Sequence, residues 1–252
     1  MKQFLMLVVN LIPMRIVNFI NGIFRGLAKL GAKLQFAKQW YNSPTPEWFD
    51  HNLDLYYLWG TDKGNCFWLE RGVFSNLAIK PGARVLELCC GDGFNAKYFY
   101  KYRAQEIYSC DFDKSAIAHA NHINKNEKTN YFIADIRYNM TEGHFDNIIW
   151  DAAIEHFTPE EIDAIIKNIK QRLGDDGIIS GYTLVEREDG KSLEQHEYEF
   201  KSKEDLIRFF TPYFRNVKVF ETMYPNRHNL YFYASDGVLP LSDDWEHMID
   251  KK

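Results

Sequence analysis

Arg84–Lys97 reads RVLELCCGDGFNAK, a set of residue types suited to gripping a small ligand. An apolar run (Val85, Leu86, Leu88) encloses one acid, Glu87, and gives way to the turn Gly91-Asp92-Gly93. The two glycines let the backbone take positive φ and approach a ligand closely. Glu87 and Asp92 would repel a pyrophosphate but suit a cation or a sugar with free hydroxyls. Acids recur downstream. Asp111 closes the apolar run that starts at Ile107, about twenty residues on, where a carboxylate can bind both ribose hydroxyls. Asp135 ends Tyr131-Phe-Ile-Ala, and Asp151 ends Asp146-Asn-Ile-Ile-Trp150. Four apolar runs in succession therefore finish beside a carboxylate.

Those acids can work together only if the four runs are neighbouring strands ending at one edge of one sheet. The residues between and after them supply the helices such a sheet needs. Phe94–Tyr102 can form a helix behind the glycine turn. Pro159–Leu173 repeats apolar residues at Ile162, Ile165, Ile166, Ile169 and Leu173, with Thr158 as N-cap and Glu161 completing a capping box. Gly174–Gly177 reads as a turn and Ile178–Val185 as a fifth strand. Ser202 caps a further helix to Phe210, and Asn216–Met223 pairs with His228–Ala234 as a hairpin. Strands alternating with helices predict an α/β fold, a doubly wound, mostly parallel sheet covered on both faces.

GDGFNA also satisfies the loose G-x-G-x-x-G/A pattern of dinucleotide-binding folds, which keeps a nicotinamide-dependent oxidoreductase among the readings. The whole set of motifs, in order, resembles the class I S-adenosylmethionine-dependent methyltransferases over roughly residues 82–235. The resemblance implies a seven-stranded sheet closed by the antiparallel hairpin, with S-adenosylmethionine as cofactor. It maps the first motif of that family onto Glu87, Cys89, Gly91 and Gly93, with Cys89 standing where a glycine is usual. It places cofactor contacts at Asp111 and Phe112, at Asp135 and Ile136, and at Asp151. Cys89 in a glycine position suggests that the turn there does not demand positive φ.

A sulfonium methyl is already activated, so the protein has chiefly to orient an acceptor, and an alcohol acceptor must also lose its proton. His156, preceded by Glu155 at the exit of the fourth strand, is the first candidate base; His196 follows the fifth strand toward the same edge. Trp150-Asp-Ala-Ala lacks the Asn-Pro-Pro-aromatic pattern of amino-purine and glutamine methyltransferases, which favours oxygen as the acceptor atom. The expected acceptor is a small molecule or a saccharide, alternatively a lipid or lipid-linked glycan. A binding protein that has lost catalysis is disfavoured by the intact set of donor residues.

Residues 1–40 carry Lys2, Arg15, Arg25, Lys29, Lys33 and Lys38 and no acid. After Pro13, Arg15, Arg25, Lys29 and Lys33 gather on one helical face, with Ile16, Ile20, Ile23, Leu27, Leu30 and Leu34 opposite. Such a helix suits an anionic membrane surface, packing on the catalytic domain or a second copy, or a signal segment. Residues 41–80 are dense in aromatics and read as a lid, with Tyr57, Trp68 and Arg71 facing the acceptor. Residues 81–236 are the cofactor-binding domain, and 237–252 a polar acidic tail. The net charge of −5 argues against nucleic acid as a partner. The four cysteines lack metal-ligand spacing, so no metal is expected, and reduced thiols fit a cytoplasmic protein, with the inner face of a membrane as the alternative location.

Overall fold

The computed structural model describes residues 11–41, 48, 50–60, 67–188, 190–224 and 227–240. Two compact units divide the chain, Met1–Cys66 and Phe67–Lys252. The first contains α1 (Met14–Tyr41) and α2 (His51–Gly60), which lie against each other. No helix among the described residues is long and apolar enough to cross a membrane.

The second unit opens with α3 (Phe67–Ala78) and continues β1 (Arg84–Leu88), α4 (Phe94–Tyr98), β2 (Glu106–Asp111), α5 (Lys114–Ile123) and β3 (Thr129–Ile133). Next come β4 (Phe145–Asp151), α6 (Pro159–Arg172), β5 (Leu173–Leu184), α7 (Lys203–Phe210), β6 (Asn216–Tyr224) and β7 (Arg227–Ser235). Short 3₁₀ turns lie at Tyr100–Tyr102 and Ile154–His156. The seven strands form one sheet in the order β3-β2-β1-β4-β5-β7-β6. β1 to β5 pair in parallel, and β7 runs antiparallel to both β5 and β6. This is the expected doubly wound sheet with its terminal hairpin. Strand order reverses between β1 and β4, which opens a crevice beyond their carboxyl ends.

Alternation along the central strands builds a core on each face. Leu86, Leu88, Ile148 and Trp150 pack with Ile162, Ile165, Ile166 and Ile169 of α6 and Phe210 of α7. Val85 and Ile149 point the other way, onto Ala96, Tyr100, Ile117 and Ala120. Each of the four α6 isoleucines is worth about 1.5–3 kcal/mol by burial alone. The capping box forms as expected: Thr158 Oγ1 accepts from the Glu161 amide at 3.3 Å, and Glu161 Oε2 from the Thr158 amide at 3.0 Å.

One element differs from its sequence reading. Gly174–Gly177 is not a turn that ends before the strand; it lies inside β5. Phe145 pairs with Leu173 and Asn147 with Ile178, so four residues on β5 bulge out opposite one on β4. The expected helix Phe94–Tyr102 is also divided, into α4 and the 3₁₀ turn behind it.

Candidate functional site

The loop after β1 is fixed by its own backbone. The Cys90 amide donates to the Cys110 carbonyl at 2.9 Å, the Gly91 amide to Asp111 Oδ2 at 2.9 Å, and the Phe94 amide to Asp92 Oδ1 at 3.0 Å. Gly93 sits at φ 73°, and a Cβ there would come within 2.5 Å of the Tyr131 ring. That ring is fixed in turn, because its hydroxyl donates 3.1 Å to the Gly93 carbonyl. Gly93 is therefore required for both conformation and space. Cys89 corrects the sequence reading. It lies at φ 54°, in the left-handed region, so this turn does demand positive φ and a side chain bears the strain. Ala152, just past β4, does the same at φ 53°. The two strands flanking the crevice thus both end in strained backbone, as functional sites often do. Neither residue type announces it.

Asp151, Asp92 and Asp111 lie close enough to Glu87 to act on its charge. Glu87 is buried and accepts from Ser109 Oγ at 2.6 Å. Burial pushes its pKa up to about 8, with Asp151, Asp92 and Asp111 adding to the shift. Asp111 accepts the amides of Gly91 and Asp113 through its two oxygens, tying the β1 and β2 loops together. Phe112 beside it is half exposed. Asp135 lies two residues past β3 and pairs with Arg137, Oδ2 to Nη2 2.7 Å, whose hydrogen bonds hold its carboxyl below the usual range. Ile136 turns its side chain into the core.

Asp151 is held by groups that sequence spacing does not connect. Arg71 of α3 donates to its Oδ2 from Nε at 3.0 Å and Nη2 at 2.8 Å, and Asn95 Nδ2 adds a third contact at 3.1 Å. Burial alone would lower the Arg71 pKa, but the carboxylate beside it outweighs that, and the guanidinium stays charged. Arg71 also lies 5.0 Å from the centroid of the Tyr182 ring. Arg71 is thus a buried counter-ion anchored to the end of β4. The side chains of Tyr57 and Trp68 lie outside the described residues.

On the β4–β5 side, Glu155, His156 and His196 come together. The two imidazoles meet edge to face with centroids 4.8 Å apart. Glu155 is buried and accepts from Thr183 Oγ1 at 3.0 Å, while its carbonyl takes the amides of Glu197 and Tyr198. His156 Nδ1 faces the Gln195 carbonyl at 3.2 Å, and buried His196 pairs through Nδ1 with the carboxylate of buried Glu199. Sequence reading named the first three residues but missed Glu199, Thr183 and Asn95. The one signal for Glu199 was its place three residues after His196 in a charged loop.

These features suit S-adenosylmethionine. Buried Asp92 and Asp111 flank the loop where a sulfonium and an ammonium would sit, and the side-chain-free Gly91 and Gly93 allow close backbone approach. Residues 85–177 match the family described as "Methyltransferase domain". A ribosomal protein L11 methyltransferase of Paraburkholderia xenovorans is 28% identical over 48% of this chain and 40% of its own length. An uncharacterized methyltransferase of Synechocystis is 30% identical over 42% of this chain and 49% of its own. The chain thus spans less than half the length of these curated relatives. TehB from Haemophilus influenzae superposes with a TM-score of 0.54 at 20% identity, covering 71% of this chain and 65% of that one. The N-methyltransferase NodS from Bradyrhizobium japonicum, solved with S-adenosyl-L-homocysteine, gives 0.55 at 15% identity over 68% and 87%. At such identities the structural likeness is one of fold. Sheet order, glycine loop and acidic strand ends agree with the domain match over residues 85–177, and the fold is that of the class I S-adenosylmethionine-dependent methyltransferases.

Proposed function

We propose that this protein transfers the methyl group of S-adenosylmethionine to an oxygen of a small-molecule or saccharide acceptor. Glu87, Asp111 and the Gly91–Gly93 backbone would hold the donor, with Asp135 and Phe112 toward its adenosine end and Asp151, neutralised by Arg71, at the β4 rim. Bound there, the donor supplies a methyl on a sulfonium sulfur, which departs as a neutral thioether.

The observation that carries the oxygen assignment is the cluster of Glu155, His156 and His196 just beyond the end of β4. A hydroxyl is a poor nucleophile until its proton is taken, and two imidazoles with a carboxylate can take it. The Cys89 thiol is pushed up by burial and then by the charges of Asp111, Asp135 and Glu155, so acids of both groups act on one residue. Purified protein with labelled donor and a panel of alcohols, phenols, sugars, amines and thiols tests this reading; labelling confined to nitrogen or sulfur would refute it. His156→Ala should lower kcat by about 10²–10⁴-fold while leaving the donor Kd within about twofold.

A second reading, a lipid or lipid-linked acceptor met at a membrane, is favoured by α1. Phe19, Leu27 and Leu34 are 70%, 59% and 62% exposed on a helix whose charged residues, Arg15, Arg25, Lys29, Lys33 and Lys38, are all basic. Anionic vesicles should sediment the full chain but not one starting at Tyr41; equal sedimentation removes this reading.

A further inference from the structure

We propose that Glu155, His156 and His196 form a binding site for a divalent first-row transition cation. One potential ligand atom from each lies within 4.8 Å of the others. In a tetrahedral site with bonds of about 2.0–2.1 Å, ligand atoms stand roughly 3.3–3.5 Å apart, so small side-chain rotations close the set. Two imidazoles and a carboxylate suit zinc, iron, cobalt or manganese rather than magnesium or calcium, which prefer oxygen ligands.

The surroundings argue for ligation more strongly than the spacing does. His196 Nδ1 pairs with the Glu199 carboxylate, and His156 Nδ1 faces the Gln195 carbonyl. Both acceptors require a proton on Nδ1, so in the neutral ring each Nε2 carries the lone pair a cation would take. A carboxylate or carbonyl behind the far nitrogen is the arrangement that orients metal-bound histidines. Glu199 is itself anchored by the Ser192 amide at 2.6 Å. Glu155 spends Oε2 on Thr183 Oγ1, and Oε1 has no hydrogen-bond partner among the described residues. Three residues therefore each keep one donor atom uncommitted, held by three separate anchors. Their common origin is topological: β4 delivers Glu155 and His156, and the loop after β5 brings His196 back 40 residues later.

Three protein ligands leave a coordination position open. A cation there would lower the pKa of a hydroxyl that coordinates it, the proton passing to water. This role rests on the acceptor-side assignment above, and it replaces His156 as direct base with His156 as ligand.

Metal binding needs neither donor nor acceptor, so it is tested separately. The chelator-treated full chain should bind one Co²⁺, with visible absorption that Zn²⁺ displaces and Mg²⁺ does not. Glu155→Gln and half-buried His156→Gln should weaken Co²⁺ by tenfold or more while S-adenosylhomocysteine still binds. Glu199→Gln, at a positioning residue, should cost about 10–100-fold. X-ray absorption of the zinc-loaded wild type should show two imidazoles and no sulfur, which covers the case of a variant that fails to fold. No stoichiometric uptake, unchanged affinity in folded variants, or sulfur coordination would each overturn the site. Full methyl transfer by metal-free enzyme would overturn its role and leave the methyltransferase reading intact. Metal bound without oxygen methylation would overturn the oxygen assignment and the cation's role in it, and leave the metal site standing.

Discussion

Glu87 meets the end of β1 with its carboxyl buried among three other acids, and its pKa of about 8 makes it a proton store at neutral pH. A cationic donor beside it favours the charged form, so binding should release a proton. Donor affinity should therefore rise between pH 6 and 8 and level off above. Calorimetry in buffers of different ionisation enthalpy checks this, and Glu87→Gln should flatten the profile. The same group acts on stability with a definite sign. Its folded pKa lies above the unfolded value near 4.5, so the stability it contributes is whole below that pH and is lost as pH rises toward 8. Glu87→Gln should thus raise Tm at pH 8 and leave it nearly unchanged at pH 4. Arg71 presents the opposite case. Arg71→Met strands a buried Asp151 and should cost about 3–5 kcal/mol in urea unfolding, with part recovered by adding Asp151→Asn. The acids could be read from the sequence because carboxylates at strand ends are visible as residue types. Arg71 as the Asp151 counter-ion could not, since 80 residues separate them and nothing local encodes the pairing.

Elements carry their own signals when the governing forces are local. α6 was legible from end to end because apolar periodicity, a capping box and Pro159 all act within a turn or two. Thr158→Ala should remove one cap contact, cost about 1 kcal/mol, and shift the urea midpoint without changing m. The β5 bulge was illegible for the converse reason. Gly174–Gly177 has the composition of a turn, and only pairing with Phe145 and Asn147 across the sheet draws it into a strand. Cys89 and Ala152 show the same limit at the scale of one dihedral angle. The folded sheet imposes the left-handed conformation, and neither side chain reveals it beforehand.

At the scale of the molecule, the alternation of strand and helix determined the layers, and the acids fall at or just past the carboxyl ends of β1 to β4. The crevice itself arises from the reversal of order between β1 and β4, which brings the glycine loop, Asp151 and the histidine pair to adjoining strand ends. The chain's charge is unevenly distributed: residues 1–46 hold basic residues and no acid, so the acidic excess belongs entirely to the remainder. A cationic donor thus meets an attractive field, and its association rate should fall as salt is raised.

The three thiols around the donor loop offer an internal clock. Cys89 and Cys90 are pushed well above the usual cysteine range, and burial drives Cys110 up to about 12. Alkylating reagents attack only the thiolate, so at pH 8 these sulfurs should resist iodoacetamide far longer than a free cysteine. Whatever labelling does occur must report the moments when the turn lets go of Asp111. Mass spectrometry of the modified peptides would time those openings, and a bound donor should lengthen the intervals.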